Sequence, residues 1–116
     1  MQRETKEGVI IACDFTGADW DGQTPMIEGH RGSVLSLPAL GRALEEAAPL
    51  PQGAVCTMCL RTLAPGTRAW APPEPPPTAN PEATVCWDCI QQADRAFARD
   101  ADTDWERRLP PDANWS

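Results

Sequence analysis

Toward the C-terminal end, apolar residues recur at the spacing of a helix: Ile90, Ala93, Phe97 and Ala101, with Trp105 roughly continuing the stripe. Pro110 and Pro111 stop the pattern, and Arg107 and Arg108 suit the C-terminal end of a helix dipole. The same stripe occurs fifty residues earlier: "VLSLPALGRALEEA" lies over "TVCWDCIQQADRAF". Leu40 then falls on Ile90, Ala43 on Ala93 and Ala47 on Phe97. The pattern predicts two related helices, each preceded by a loop-rich stretch marked by Gly and Pro.

The stretch before each helix carries cysteine. "CTMC" holds Cys56 and Cys59, and "CWDC" holds Cys86 and Cys89, with 26 residues between the pairs. Each C-x2-C spacing lets a tight turn aim both sulfurs at one point, and two pairs supply four thiolates for a tetrahedral zinc ion. The second pair opens the predicted helix, where the positive end of the dipole favours thiolates. A four-sulfur site has no open position, so such a zinc is structural. An iron–sulfur cluster is the competing occupant, since four thiolates suit it too. A thioredoxin-like redox pair would need a βαβ setting for which the chain has no room.

In the earlier stretch the frame survives with one cysteine. Cys13, Thr16, Ser36 and Ala39 stand where Cys56, Cys59, Cys86 and Cys89 stand later, and the central gap, residues 17–35, is 19 residues. We read a duplicated finger whose first copy has lost three ligands to small residues. The expected fold is small, α+β and zinc-stabilised: tandem treble-clef or zinc-ribbon-like ββα units packed as one compact body. Residues 1–48 form the degenerate, metal-free copy, 49–55 a linker, 56–109 the zinc-binding finger and 110–116 a tail. One Zn2+ per chain is expected. Without metal, copy one needs packing against copy two, which should bury Ile10, Ile11, Phe15, Leu35, Leu37, Leu40 and Leu44.

Composition narrows the partners. The 116 residues carry 10 basic and 17 acidic side chains, a formal charge of −7, which argues against nucleic acid or an anionic membrane as the main partner. The start, "MQRETKEGVIIACDF", lacks the order of a signal peptide, and no apolar run approaches the ~20 residues of a membrane span. A cytoplasmic location, with reduced thiols, is therefore expected. The insert "APPEPPPTANPEA", residues 71–83, has six prolines. It reads as a stiff, solvated loop, or else as a ligand for an aromatic-lined groove.

Cys13, His30 and a nearby aspartate (Asp14, Asp19 or Asp21) suggest a mixed metal site or a thiol enzyme. No ligand spacing supports it, and a buried thiol with a loop histidine is the simpler reading. Trp20, Trp105 and Trp115 are either docked on the body or kept for a partner.

On "CTMC" and "TVCWDCIQQADRAF" the chain resembles the four-cysteine zinc-binding domain of ClpX-type unfoldases, over residues 56 to about 99 and more weakly over 13–47. The resemblance carries Cys56, Cys59, Cys86 and Cys89 over as zinc ligands. That family's domain dimerises and binds substrates and adaptors, so it implies a protein partner, leaves room for a homodimer, and makes the fused copies look like such a dimer in one chain. No ATPase module or phosphate-binding GxxxxGK[ST] loop is present. The function expected is a structural zinc-binding, adaptor-like protein-interaction module and not an enzyme. The rivals are a nucleic-acid-binding zinc ribbon and a thiol- or metal-dependent enzyme or redox switch using Cys13 and His30.

Overall fold

The computed structural model describes residues 1–109; the tail 110–116, with Pro110, Pro111 and Trp115, lies outside the described residues. An N-terminal hairpin pairs β1 (Gln2–Thr5) with β2 (Gly8–Ile11). A second hairpin, β3 (Met26–Glu28) with β4 (Val34–Ser36), runs into helix α1 (Leu37–Glu46). The chain then forms β5 (Ala48–Pro49), the short hairpin of β6 (Ala54–Val55) and β7 (Thr62–Leu63), β8 (Arg68–Trp70), β9 (Val85–Cys86) and helix α2 (Trp87–Arg99). Strands β5, β8 and β9 form one antiparallel sheet. The ends of the 49–55 stretch are thus built into sheets, with a turn between them.

Local chemistry sets the helix limits. The Ser36 hydroxyl accepts from the Ala39 N–H at 3.3 Å, and Pro38 sits in the first turn, so α1 starts where its sequence prescribes. Helix α2 buries Ile90, Ala93 and Phe97 as their spacing predicts. It ends at Arg99, earlier than the apolar stripe suggested, so Ala101 and Trp105 are not helical. The cause is Asp100. Its carboxylate accepts from the Asp102 N–H at 3.0 Å and the Thr103 hydroxyl at 2.9 Å, a local turn that outcompetes the helix. Trp105 nonetheless returns to α2, donating from Nε1 to Asp94 at 2.9 Å. Arg107 and Arg108 belong to this returning segment rather than to a helix end; the Arg108 N–H donates to the same carboxylate.

The two halves repeat one hydrogen-bond pattern. Around Cys56, the Leu60 N–H donates to the Cys56 carbonyl, the Cys56 N–H to the Arg61 carbonyl, and the Thr57 N–H to the Thr84 carbonyl. Around Cys13, the Gly17 N–H donates to the Cys13 carbonyl, the Cys13 N–H to the Ala18 carbonyl, and the Asp14 N–H to the Val34 carbonyl. Both turns close on a left-handed residue, Leu60 at φ 65° and Gly17 at φ 74°.

The halves also grip each other. The His30 N–H donates to the Met58 carbonyl at 2.8 Å, and the Asn80 N–H to the Asp14 carbonyl at 2.8 Å. Each loop between paired strands therefore docks on the other half's turn. The Pro-rich insert is not simply solvated. Ala79 and Ala83 are buried, and the Asn80 side chain donates to Asp14. The insert backbone lies so close to Gly17 that a Cβ there would stand 2.7 Å from the Ala79 nitrogen. Between the halves lies one core, with Phe15 stacked on Trp70 at 5.6 Å between ring centroids. Of the copy-one residues expected inside, Phe15, Leu35 and Leu40 are fully buried, Leu37 and Leu44 are partly buried, and Ile10 and Ile11 are only half-covered in the first hairpin. The radius of gyration, 13.9 Å, is that of a single body of this length, for which about 13 Å is usual.

Candidate metal centre

Cys56 and Cys59 sit in the turn that links β6 to β7. Cys86 ends β9 and caps α2, and Cys89 lies in the helix's first turn. The turn and the helix start face one another because the Cys86 N–H donates to the Cys56 sulfur at 3.4 Å and the Thr84 N–H to the Thr57 hydroxyl at 2.9 Å. All four sulfurs lie within 4.8 Å of one another. The Cys56–Cys89 and Cys59–Cys86 sulfur pairs are each 3.8 Å apart. A tetrahedral zinc with ~2.3 Å bonds to sulfur places its ligands about 3.8 Å from each other. The donor set therefore fits a metal ion of that size. Among the described residues it is the only such cluster of Cys, His, Asp and Glu found.

The electrostatics of the cluster point the same way. Hydrogen bonding with the Cys86 and Cys89 sulfurs holds the Cys56 thiol far below its ordinary range. The hydrogen bond with Cys56 in turn pushes Cys86 up to about 11, and hydrogen bonding with Cys56 and Cys86 pushes Cys89 up as well. Four sulfurs this close do not all ionise without a cation among them. Arg61 supplies part of the balance. Its Nε donates to the Cys59 sulfur at 3.4 Å, and its Nη2 reaches the Cys86 sulfur at 3.7 Å and the Asp88 carboxylate at 2.9 Å. Sequence reasoning missed Arg61; the signal was a rare basic residue two positions past Cys59 in an acidic chain.

Elsewhere the sequence-derived residues separate. Cys13 is fully buried, and its sulfur accepts from the Ser36 N–H at 3.4 Å. His30 is exposed and forms no metal-binding cluster with Cys13 or the nearby aspartates. Asp14 is buried and committed to the Val34 N–H, the Asn80 amide and the terminal amine of Met1. Asp19 pairs with Arg3, and Asp21 caps its own turn by accepting from Gln23 and Thr24. Trp20 is 52% exposed, whereas Trp105 is half-buried and bonded to Asp94.

A groove of about 800 Å3 runs past the exposed edge of the cluster. Cys59 and Cys89 open onto it, with Ile27, Leu35 and Met58 on its apolar wall and Arg95 and Arg99 on α2. No helix among the described residues is long and apolar enough to cross a membrane.

Comparison of the chain with protein-family models, with curated proteins and with solved structures finds no match. What defines the class is the site itself: a small α+β body with four cysteines gathered into a group that can hold a metal ion.

Proposed function

We propose that the chain is a structural zinc-binding module whose task is protein–protein interaction. The observation that carries the metal half is the pair of 3.8 Å sulfur–sulfur spacings inside a four-cysteine group, the edge length of a zinc tetrahedron. Cys56, Cys59, Cys86 and Cys89 would hold one Zn2+, and Arg61 would offset part of their charge. The ion, when bound, supplies a cross-link between the turn and the start of α2. The residues of the chain do the rest by shielding, orienting and packing.

The repeated hydrogen bonds around Cys13 and Cys56 support a duplicated treble-clef-like finger, with residues 1–48 as the metal-free copy. The likeness to a ClpX-type domain rests on the cysteine motif of Cys56, Cys59, Cys86 and Cys89. The interaction half rests on surface chemistry. Trp20 and Val9 are large apolar residues left more than half exposed, and the long groove runs beside the cluster. The carboxylate excess disfavours a nucleic-acid backbone. Reduced thiols, needed by the site, suit the cytoplasm.

Native mass spectrometry with elemental analysis tests the reading. The expected result is one zinc per chain, released as pH falls because protons compete for the thiolates. Iron with labile sulfide would replace zinc by a cluster. An absence of metal with oxidised cysteine pairs would overturn the site.

A further inference from the structure

The repeat is incomplete at one sheet edge. In the second half, β8 is flanked on both sides: by β9, and by β5, which follows α1 directly and pairs antiparallel through Ala48–Ala69 and Pro49–Arg68. In the first half the counterpart of β8 is β3, and among the described residues it pairs with β4 alone. The chain after α2, which would be the counterpart of β5, is instead tied into the Asp100 turn.

The free edge has a definite chemistry. The Leu37 N–H donates to the Pro25 carbonyl and the Gly29 N–H to the Ser33 carbonyl, which fixes the alternation of the ladder. Met26 and Glu28, opposite Ser36 and Val34, are then the non-hydrogen-bonded pairs. Their N–H and C=O groups point away from β4, and none has a hydrogen-bond partner among the described residues. A groove of about 320 Å3 takes Met26 and Glu28 of this strand, with Val34 of β4, into its lining. Trp20, Met26 and Val34 give it apolar surface, Glu28, Asp100 and Asp102 line it with carboxylates, and none of the described residues lining it is Lys, Arg or His.

We propose that the β3 edge and this groove bind an extended, basic peptide segment of a partner protein by strand addition, antiparallel to β3 as β5 is to β8. Backbone hydrogen bonds to Met26 and Glu28 fix the register. An apolar side chain packs on Trp20 and Met26, and Lys or Arg side chains two residues away in each direction, on the same strand face, meet Glu28 and Asp102. A second copy of this chain is the wrong occupant, because its own edge is equally acidic. The inference rests on the interaction-module reading and names where that interaction takes place.

The test uses the full 15N-labelled chain as purified, with its metal content already measured. It is titrated with Ac-TKTVTKT-NH2 and, separately, with Ac-TETVTET-NH2, in which Lys or Glu lies two residues to each side of Val and so on the same strand face, while amide shifts and Trp fluorescence are followed. Saturable shifts at Met26 and Glu28 with the basic peptide alone, weakening as salt is added, support the proposal. Glu28→Lys with Asp102→Lys should weaken that binding about 10-fold or more, the equivalent of some 1.4 kcal/mol. Met26→Pro removes one outward N–H while sparing the ladder to β4, and should weaken it without the charge change. Shifts confined to the groove beside Cys59 and Cys89 would overturn the proposal and leave the interaction-module reading standing. Equal binding of the acidic peptide, edge shifts that depend on protein concentration alone, or no shift at millimolar peptide would each overturn it too. None of these results bears on the metal, which is judged by its own measurement.

Discussion

At the scale of single residues, Arg61 matters most after the cysteines. Four thiolates around a divalent ion leave a double negative charge, and the Arg61 guanidinium contacts two of those sulfurs. It is 56% exposed, so its effect on folding is small, but it also shields sulfur from electrophiles. Arg61→Leu should lower zinc affinity by about 10-fold, as removal of outer partners of metal ligands does. It should also speed attack by thiol reagents on the metal-bound form. Competition with a chromophoric chelator and the rate of alkylation measure both; unchanged values would remove Arg61 from the site. The four cysteines were legible because C-x2-C states its geometry in its spacing. Arg61 was not. Its reach to Cys86, 25 positions away, depends on Leu60 adopting a left-handed conformation, which no local pattern announces for leucine.

Secondary-structure elements show the same division. Periodicity located α2 and its buried face because Ile90, Ala93 and Phe97 meet one core. It failed past Arg99, where a single side chain, Asp100, decides the path by bonding locally. Periodicity also gave no sign of Asp94, a charged residue on the buried face. Asp94 is 0% exposed and accepts from Trp105 Nε1 and from the N–H groups of Arg108 and Leu109, so it fastens the returning segment to the helix. Asp94→Ala strands all three donors and should cost about 2–4 kcal/mol. Urea unfolding reads the loss, and Trp105 emission should shift to the red in the folded state. If stability holds while only Trp105 emission moves, the strap is an ornament of the helix and not a support.

For the whole molecule, the Phe15–Trp70 stack and the reciprocal His30–Met58 and Asn80–Asp14 bonds tie the two halves together, and the expected behaviour is a single cooperative transition. Chelation should therefore unfold the half that has no metal ligand set. Amide exchange should lose protection at Leu35 and Leu40 together with Ile90, in one transition; survival of the first half would show two independent units. This interdependence was only partly visible in advance. On the duplication reading, loss of three ligands calls for compensating burial, and Phe15, Leu35 and Leu40 are buried. The docking of the Pro-rich insert was hidden, because composition reports what prolines prevent and not where two small residues, Ala79 and Ala83, let the backbone settle.

The hydrogen bond from the Ser36 N–H to the Cys13 sulfur copies the one from Cys86 to Cys56, at the same 3.4 Å. On the duplication reading, the ancestral socket was emptied without being dismantled, and its loss is reversible. Restoring Thr16→Cys, Ser36→Cys and Ala39→Cys together should give a chain that takes up two zinc ions instead of one, counted by native mass spectrometry. A chain so restored that still binds a single ion would mean the resemblance between the halves is one of backbone alone, with no common metalloprotein ancestor behind it.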